Sequence, residues 1–170
     1  MDMQERLLKN IPNKEEIIFN VRRLIDVYKI LNLNILYTEQ NPNKLGNSIT
    51  IVKEKLDCKG ISKMTFSCAE ISYIKETLEK NKIKKIILTG IETHICIQQT
   101  AIEFLLQGYK VYIVVDASGS QNQLDKDIAF KRLEKEGALL TTTEALIFEL
   151  CKTSDRKEFK EISNIVKESI

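Results

Sequence analysis

The residue best placed to do chemistry in this chain is Cys96, within Lys84 to Ala101 (KKIILTGIETHICIQQTA). Ile86, Ile87 and Leu88 form a short apolar run suited to a buried strand, and Thr89-Gly90-Ile91 interrupt it. Thr93 then reads as the N-cap of a helix carrying Ile95, Cys96 and Ile97. A cysteine in a first helical turn meets unpaired backbone N–H groups and the positive end of the helix dipole, which both favour a thiolate. Cys96 is therefore a candidate nucleophile. Position alone leaves plain packing open as its role, because free cysteine is among the most buried residue types. His94 stands two residues away, but residues i and i+2 do not face each other on a helix, so it is expected to point elsewhere.

Such a cysteine is useful only if the fold brings other groups to it. Met1 to Asn13 reads as a polar loop. From Lys14 to Leu31 apolar residues recur at helical spacing (Ile17, Ile18, Val21, Leu24, Ile25, Tyr28), with Asn13 as the cap. Ile35-Leu36-Tyr37 reads as a short buried strand and Glu39 to Asn47 as loop, while Ser48 to Ile61 is ambiguous between helix and strand. Ile71, Ile74 and Leu78 mark a further helix. The Cys96 helix runs through Phe104 and Leu105 to a Gly108 C-cap. Val111 to Val115 (VYIVV) is the strongest strand signal, with Asp116 to Ser120 (DASGS) at its carboxyl end. A helix over Gln123–Glu136, a strand at Leu139–Thr141, a helix capped by Thr142 or Thr143 and a charged C-terminal helix complete the chain.

Strands alternating with helices argue for an α/β three-layer sandwich around a mostly parallel sheet of five to six strands. Right-handed crossovers put every strand's carboxyl end on one edge, where open α/β sheets place their ligands. Asp2, Thr38, Lys63 and Cys96 all fall at or near that edge. Asp116 and Ser118 could shape such a site, although capping the next turn is the favoured role.

The segment GIETHICIQQTAIEFLLQGYKVYIVVDASGS resembles the nucleophile region of the isochorismatase-like cysteine hydrolases. MDMQERL, YTEQNPNKLG, KMTFSC, GALLTTTEALIFEL and FKEISNIVKES follow the pattern of the isochorismatase-domain-containing subgroup in the same order. The resemblance covers essentially the whole chain and implies one hydrolase domain over residues 1–170. It also implies a catalytic triad of Asp2, Lys63 and Cys96, and a cis peptide at Ile91–Glu92 that turns the N–H groups of Glu92 and Cys96 into an oxyanion hole. In that arrangement Asp2 takes the thiol proton, Lys63 lowers the thiol pKa, and Cys96 attacks an electrophilic carbon. Thr38, Gln40, Phe66 and Cys68 are possible pocket residues. Nicotinamidases of the family carry an Asp/His/His metal site, but the matching TEQNPNKLG has no histidine, so no metal and no cofactor are expected. The implied activity is hydrolysis of a small amide, imide or related compound, with a catalytically silent binding or scaffold protein as the alternative. A homo-oligomer, dimer or tetramer, is implied as well.

Composition bounds the rest. Of the 170 residues 43 % are hydrophobic and 29 % charged, and 26 basic against 24 acidic residues leave a net charge of +2. No basic stripe points to nucleic acid, and no apolar run is long enough to span a bilayer. Cys58, Cys68, Cys96 and Cys151 show no CxxC or Cys/His spacing, and one histidine cannot complete a zinc set. These features fit a cytoplasmic protein with reduced thiols and a small-molecule substrate.

Overall fold

The computed structural model describes residues 1–170. Its helices are α1 (Glu5–Leu8), α2 (Lys14–Ile30), α3 (Pro42–Leu45), α4 (Thr50–Lys53), α5 (Ser72–Lys80), α6 (Gln98–Leu106), α7 (Gln123–Lys135), α8 (Thr143–Cys151) and α9 (Phe159–Val166). The strands are β1 (Thr38–Gln40), β2 (Ile61–Lys63), β3 (Lys85–Ile91), β4 (Lys110–Gly119) and β5 (Leu139–Thr141). Every strand pairing is parallel, in two separate sheets ordered β1-β2 and β3-β4-β5.

Helices cover both faces, as a parallel sheet requires. On one face Val21, Leu24 and Ile25 of α2, Leu146 and Ile147 of α8 and Ile162 of α9 pack with Ile91 and Val114. On the other, Ile74 and Leu78 of α5, Ala101 and Phe104 of α6 and Leu133 of α7 pack with Leu88, Val111 and Ile113. The expected α/β layering is therefore present, with five strands divided two and three.

Several local expectations are corrected. The first strand lies at Thr38–Gln40 rather than Ile35–Tyr37, because its parallel partner Ile61–Lys63 sets the register. Met1 to Asn13 is not a polar loop: it contains α1 and buries Met3, Gln4, Leu8 and Ile11. Asn13 precedes α2 in left-handed backbone and makes no side-chain cap. β4 runs through Asp116–Gly119, so most of DASGS is strand, and its end pairs with Gly90 and Ile91 after a register shift. Asp116 does cap: its Oδ1 accepts from the Thr143 N–H at 2.8 Å and from Thr143 Oγ1 at 2.9 Å, which anchors α8.

Candidate active site

The carboxyl ends of β1, β2 and β3 converge on Lys63, the last residue of β2. Its side chain is fully enclosed, and so is that of Asp2. The Lys63 ammonium lies 2.8 Å from Asp2 Oδ2 and donates towards Cys96 Sγ at 3.5 Å. It also donates to the Phe66 carbonyl at 2.9 Å, the Thr65 carbonyl at 3.3 Å and Gln40 Oε1. A buried cation is tolerated when paired and surrounded by acceptors, and Lys63 has both.

Asp2 is held from two sides. Its N–H donates to the Thr38 carbonyl at 3.0 Å, and its Oδ1 accepts from Thr38 Oγ1 at 2.7 Å. Gln4, itself fully buried, accepts the Gln40 N–H on Oε1 at 2.7 Å and donates from Nε2 to the Gln40 carbonyl at 3.0 Å. Sequence reading assigned Gln4 no role. Glu39 adds a second tie, accepting the Ser48 N–H at 2.6 Å.

Cys96 sits in a π-helical turn, Thr93–Ile97, that leads directly into α6. Glu92, not Thr93, occupies the N-cap position, and Thr93 Oγ1 is buried without a partner. The Ile91–Glu92 peptide is cis. The Glu92 carbonyl accepts from the Ile95 and Ile97 N–H groups, both at 3.2 Å, which fixes the turn below the sulfur. Cys96 is 6 % exposed, and burial pushes its thiol pKa up to about 11. The Asp2 carboxylate beside it pushes the same way and Lys63 pulls down. A low-pKa thiolate, expected from the helix end alone, is thus not the resting state: desolvation outweighs the dipole and the ammonium.

Of the possible pocket residues, Thr38 and Gln40 contact the triad directly. Phe66 joins through its carbonyl while its ring is largely exposed, so the ring is not a buried wall. Cys68 is buried, takes a bond from Thr100 Oγ1 to its sulfur at 3.8 Å, and lines an apolar cavity rather than the triad. His94 turns away, with Nδ1 2.9 Å from Ser120 Oγ. No group of three or more His, Cys, Asp or Glu side chains is arranged to hold a metal ion. No helix is long and apolar enough to cross a membrane.

The isochorismatase domain family matches residues 1–145. The chain belongs to that family. The isochorismatase relatives include mouse isochorismatase domain-containing protein 2A, 34% identical over 171 residues, 99% of this chain and 81% of that protein. Zebrafish isochorismatase domain-containing protein 1 is 34% identical over 99% of this chain, which spans only 59% of that protein's length. Among solved structures, the MAR1 ribonuclease of Caenorhabditis elegans superposes with a TM-score of 0.93 at 40% identity, covering 99% of this chain and 87% of that one. The YcaC product of Escherichia coli, described as an octameric hydrolase of unknown specificity, shares the fold at TM-score 0.89 and 23% identity, covering 96% and 82%. Within this isochorismatase fold, Asp2, Lys63 and Cys96 come from three distant parts of the chain and meet in one enclosed cluster.

Proposed function

We propose that the chain is a cofactor-independent hydrolase of a small amide, imide or related compound, with Cys96 as nucleophile. The observation that supports this best is the enclosed ammonium of Lys63, 2.8 Å from a carboxylate and 3.5 Å from a thiol.

The chemistry follows from the three groups. A thiol with a pKa of about 11 needs a base at the moment of attack, and the Asp2 carboxylate is beside it. As Cys96 Sγ bonds to the substrate's carbonyl carbon, its proton passes to Asp2 and the carbonyl π pair moves to oxygen. The backbone N–H groups of Glu92 and Cys96 are the proposed donors to that oxyanion, each worth about 3 kcal/mol by analogy with other oxyanion holes. Collapse expels the amine, which takes the proton from Asp2, and leaves a thioester. Water then attacks the thioester, giving its proton to Asp2, and Cys96 regains a proton as the acid departs. Lys63, paired with Asp2 at 2.8 Å and 3.5 Å from the sulfur, offsets the negative charge that develops on Cys96 during attack.

Intact-mass and peptide mass spectrometry test the reading. A small activated amide or ester should add its acyl group to Cys96, and the adduct should decay with hydrolysis. Acylation at Cys58 or Cys151 in preference to Cys96, or turnover of an unactivated amide undiminished in Asp2→Asn, would overturn it. The ribonuclease name of the Caenorhabditis elegans neighbour favours a second reading, RNA cleavage. RNA degradation by the purified chain that survives Cys96→Ala would support that one instead. Absence of any turnover with an unmodified Cys96 would favour the scaffold alternative.

A further inference from the structure

The backbone pairing of β3 with β4 ends at Ile91 opposite Gly119. Beyond that point the two segments part, one into the turn that carries Cys96 and the other towards α7, yet side chains keep them joined. The Glu92 carboxylate accepts the Gln121 N–H at 2.9 Å, and His94 Nδ1 lies 2.9 Å from Ser120 Oγ. Ser120 is only 2 % exposed. Asn122, next in line, is committed to α7, its Oδ1 accepting the Leu124 N–H at 2.9 Å. The His94 ring also reaches towards α7, with Nε2 4.0 Å from Asp125 Oδ2, while Nδ1 is 3.9 Å from Glu92 Oε2.

These ties fall where the proposed reaction most needs the chain held still. Glu92 offers its N–H to the oxyanion in that reading, and its carbonyl accepts from the Ile95 and Ile97 N–H groups on either side of Cys96. A single π turn is a rare and poorly self-supporting element, so its orientation depends on what grips its two ends. α6 continues it at the far end. At the near end, past the last backbone pair, the grip comes from the side chains of Glu92 and His94. A shift of about 1 Å in such a site costs on the order of 10² in rate.

We infer that Glu92 and His94 are positioning residues, whose side chains brace the Cys96 turn against Ser120 and Gln121 and so aim its N–H groups at the developing oxyanion. This role rests on the cysteine-hydrolase reading and extends it to side chains that bond to neither the sulfur nor its base.

Two reactions of Cys96 separate bracing from general disruption. Acylation by an activated ester builds an oxyanion, whereas iodoacetamide alkylation displaces iodide at a tetrahedral carbon and builds none. Glu92→Ala should slow acylation by about 10–100-fold and alkylation by no more than about threefold. Alkylation is spared because the charges acting on the thiol are those of Asp2 and Lys63. Glu92→Gln, which can still accept the Gln121 N–H, should recover most of the loss. Ser120→Ala removes the His94 tie from outside the turn and should slow acylation by about tenfold, again sparing alkylation. Equal losses in Glu92→Gln and Glu92→Ala would give the Glu92 charge a direct part and overturn the inference, as would parallel loss of both reactions. Amide hydrogen exchange at Ile95 and Ile97 reads the brace without turnover, and should quicken by about tenfold in Glu92→Ala and Ser120→Ala. Unchanged exchange in both variants, or faster exchange with acylation intact, overturns the inference. A wild-type Cys96 that no activated ester acylates would instead end the hydrolase reading, with exchange still reporting the brace.

Discussion

Replacing Asp2 by Asn should make Cys96 more reactive towards an alkylating agent while making the protein a poorer hydrolase. Asn keeps the size of the side chain and an Oδ1 acceptor for Thr38, and Lys63 retains Gln40 and two carbonyls as acceptors. The variant therefore isolates one negative charge beside the sulfur. Two unit charges ~4 Å apart at an effective dielectric of ~20 interact by about 4 kcal/mol, or about 3 pKa units. Relaxation around Lys63 offsets part of this, so we expect the Cys96 pKa to fall by about 2 units from its value of about 11. At pH 8 the thiolate fraction then rises about a hundredfold. A less basic thiolate is also a weaker nucleophile, with a Brønsted slope of about 0.5, which leaves a net gain of about tenfold in iodoacetamide alkylation. Hydrolysis should fall by about 10²–10⁴, the usual contribution of a positioned base. Alkylation of Cys96 followed by mass spectrometry across pH 7–11 reads the first quantity, and turnover of the best substrate reads the second. Unchanged or slower alkylation at pH 8 would refute the argument, because the carboxylate would then not be raising the thiol pKa.

Three further outcomes follow from the same geometry. Lys63→Met leaves the enclosed Asp2 carboxylate without its cation and should cost about 3–5 kcal/mol in urea unfolding, with slower alkylation of Cys96 as well. Gly90 has φ +110° and an added Cβ would overlap the Met1 carbonyl. Gly90→Ala should therefore displace Met1 and Asp2, lowering both the melting temperature and turnover, whereas Gly137→Ala, with open space around it, should cost stability but leave turnover intact. The Cys96 pKa is raised on folding, so the native state holds that proton more tightly than the unfolded chain. Stability from this group is complete below about pH 9 and is lost as pH climbs towards about 11, by about 2–3 kcal/mol relative to Cys96→Ala in pH-dependent denaturation.

The layered α/β plan was legible because long elements carry strong periodicity: α2, α7 and β4 lie where their apolar spacing puts them, to within a few residues. The short elements were not. β1 is only three residues long, and its position depends on pairing with a strand more than twenty residues away. α1 has four residues, and its burial comes from contacts made across the fold, not from any local pattern. At the site, strand ends put Asp2, Thr38, Lys63 and Cys96 near one edge, but only the family resemblance singled out Asp2 and Lys63 as partners of Cys96; the structure brings all four together. Gln4 was invisible because a glutamine near a chain start reads as solvated, and only its bonds to the Gln40 backbone explain its burial. The thiol pKa was read with the wrong sign, because desolvation depends on neighbours that a linear pattern does not reveal.

The protonated sulfur of Cys96 has a consequence for life among oxidants. Peroxide attacks thiolates, so a sulfur that keeps its proton at neutral pH enters the sulfenic–sulfinic sequence slowly. The three remaining cysteines are free, and none is bonded to Cys96. Chemical durability between encounters is thus built into the burial that makes Cys96 depend on its carboxylate neighbour.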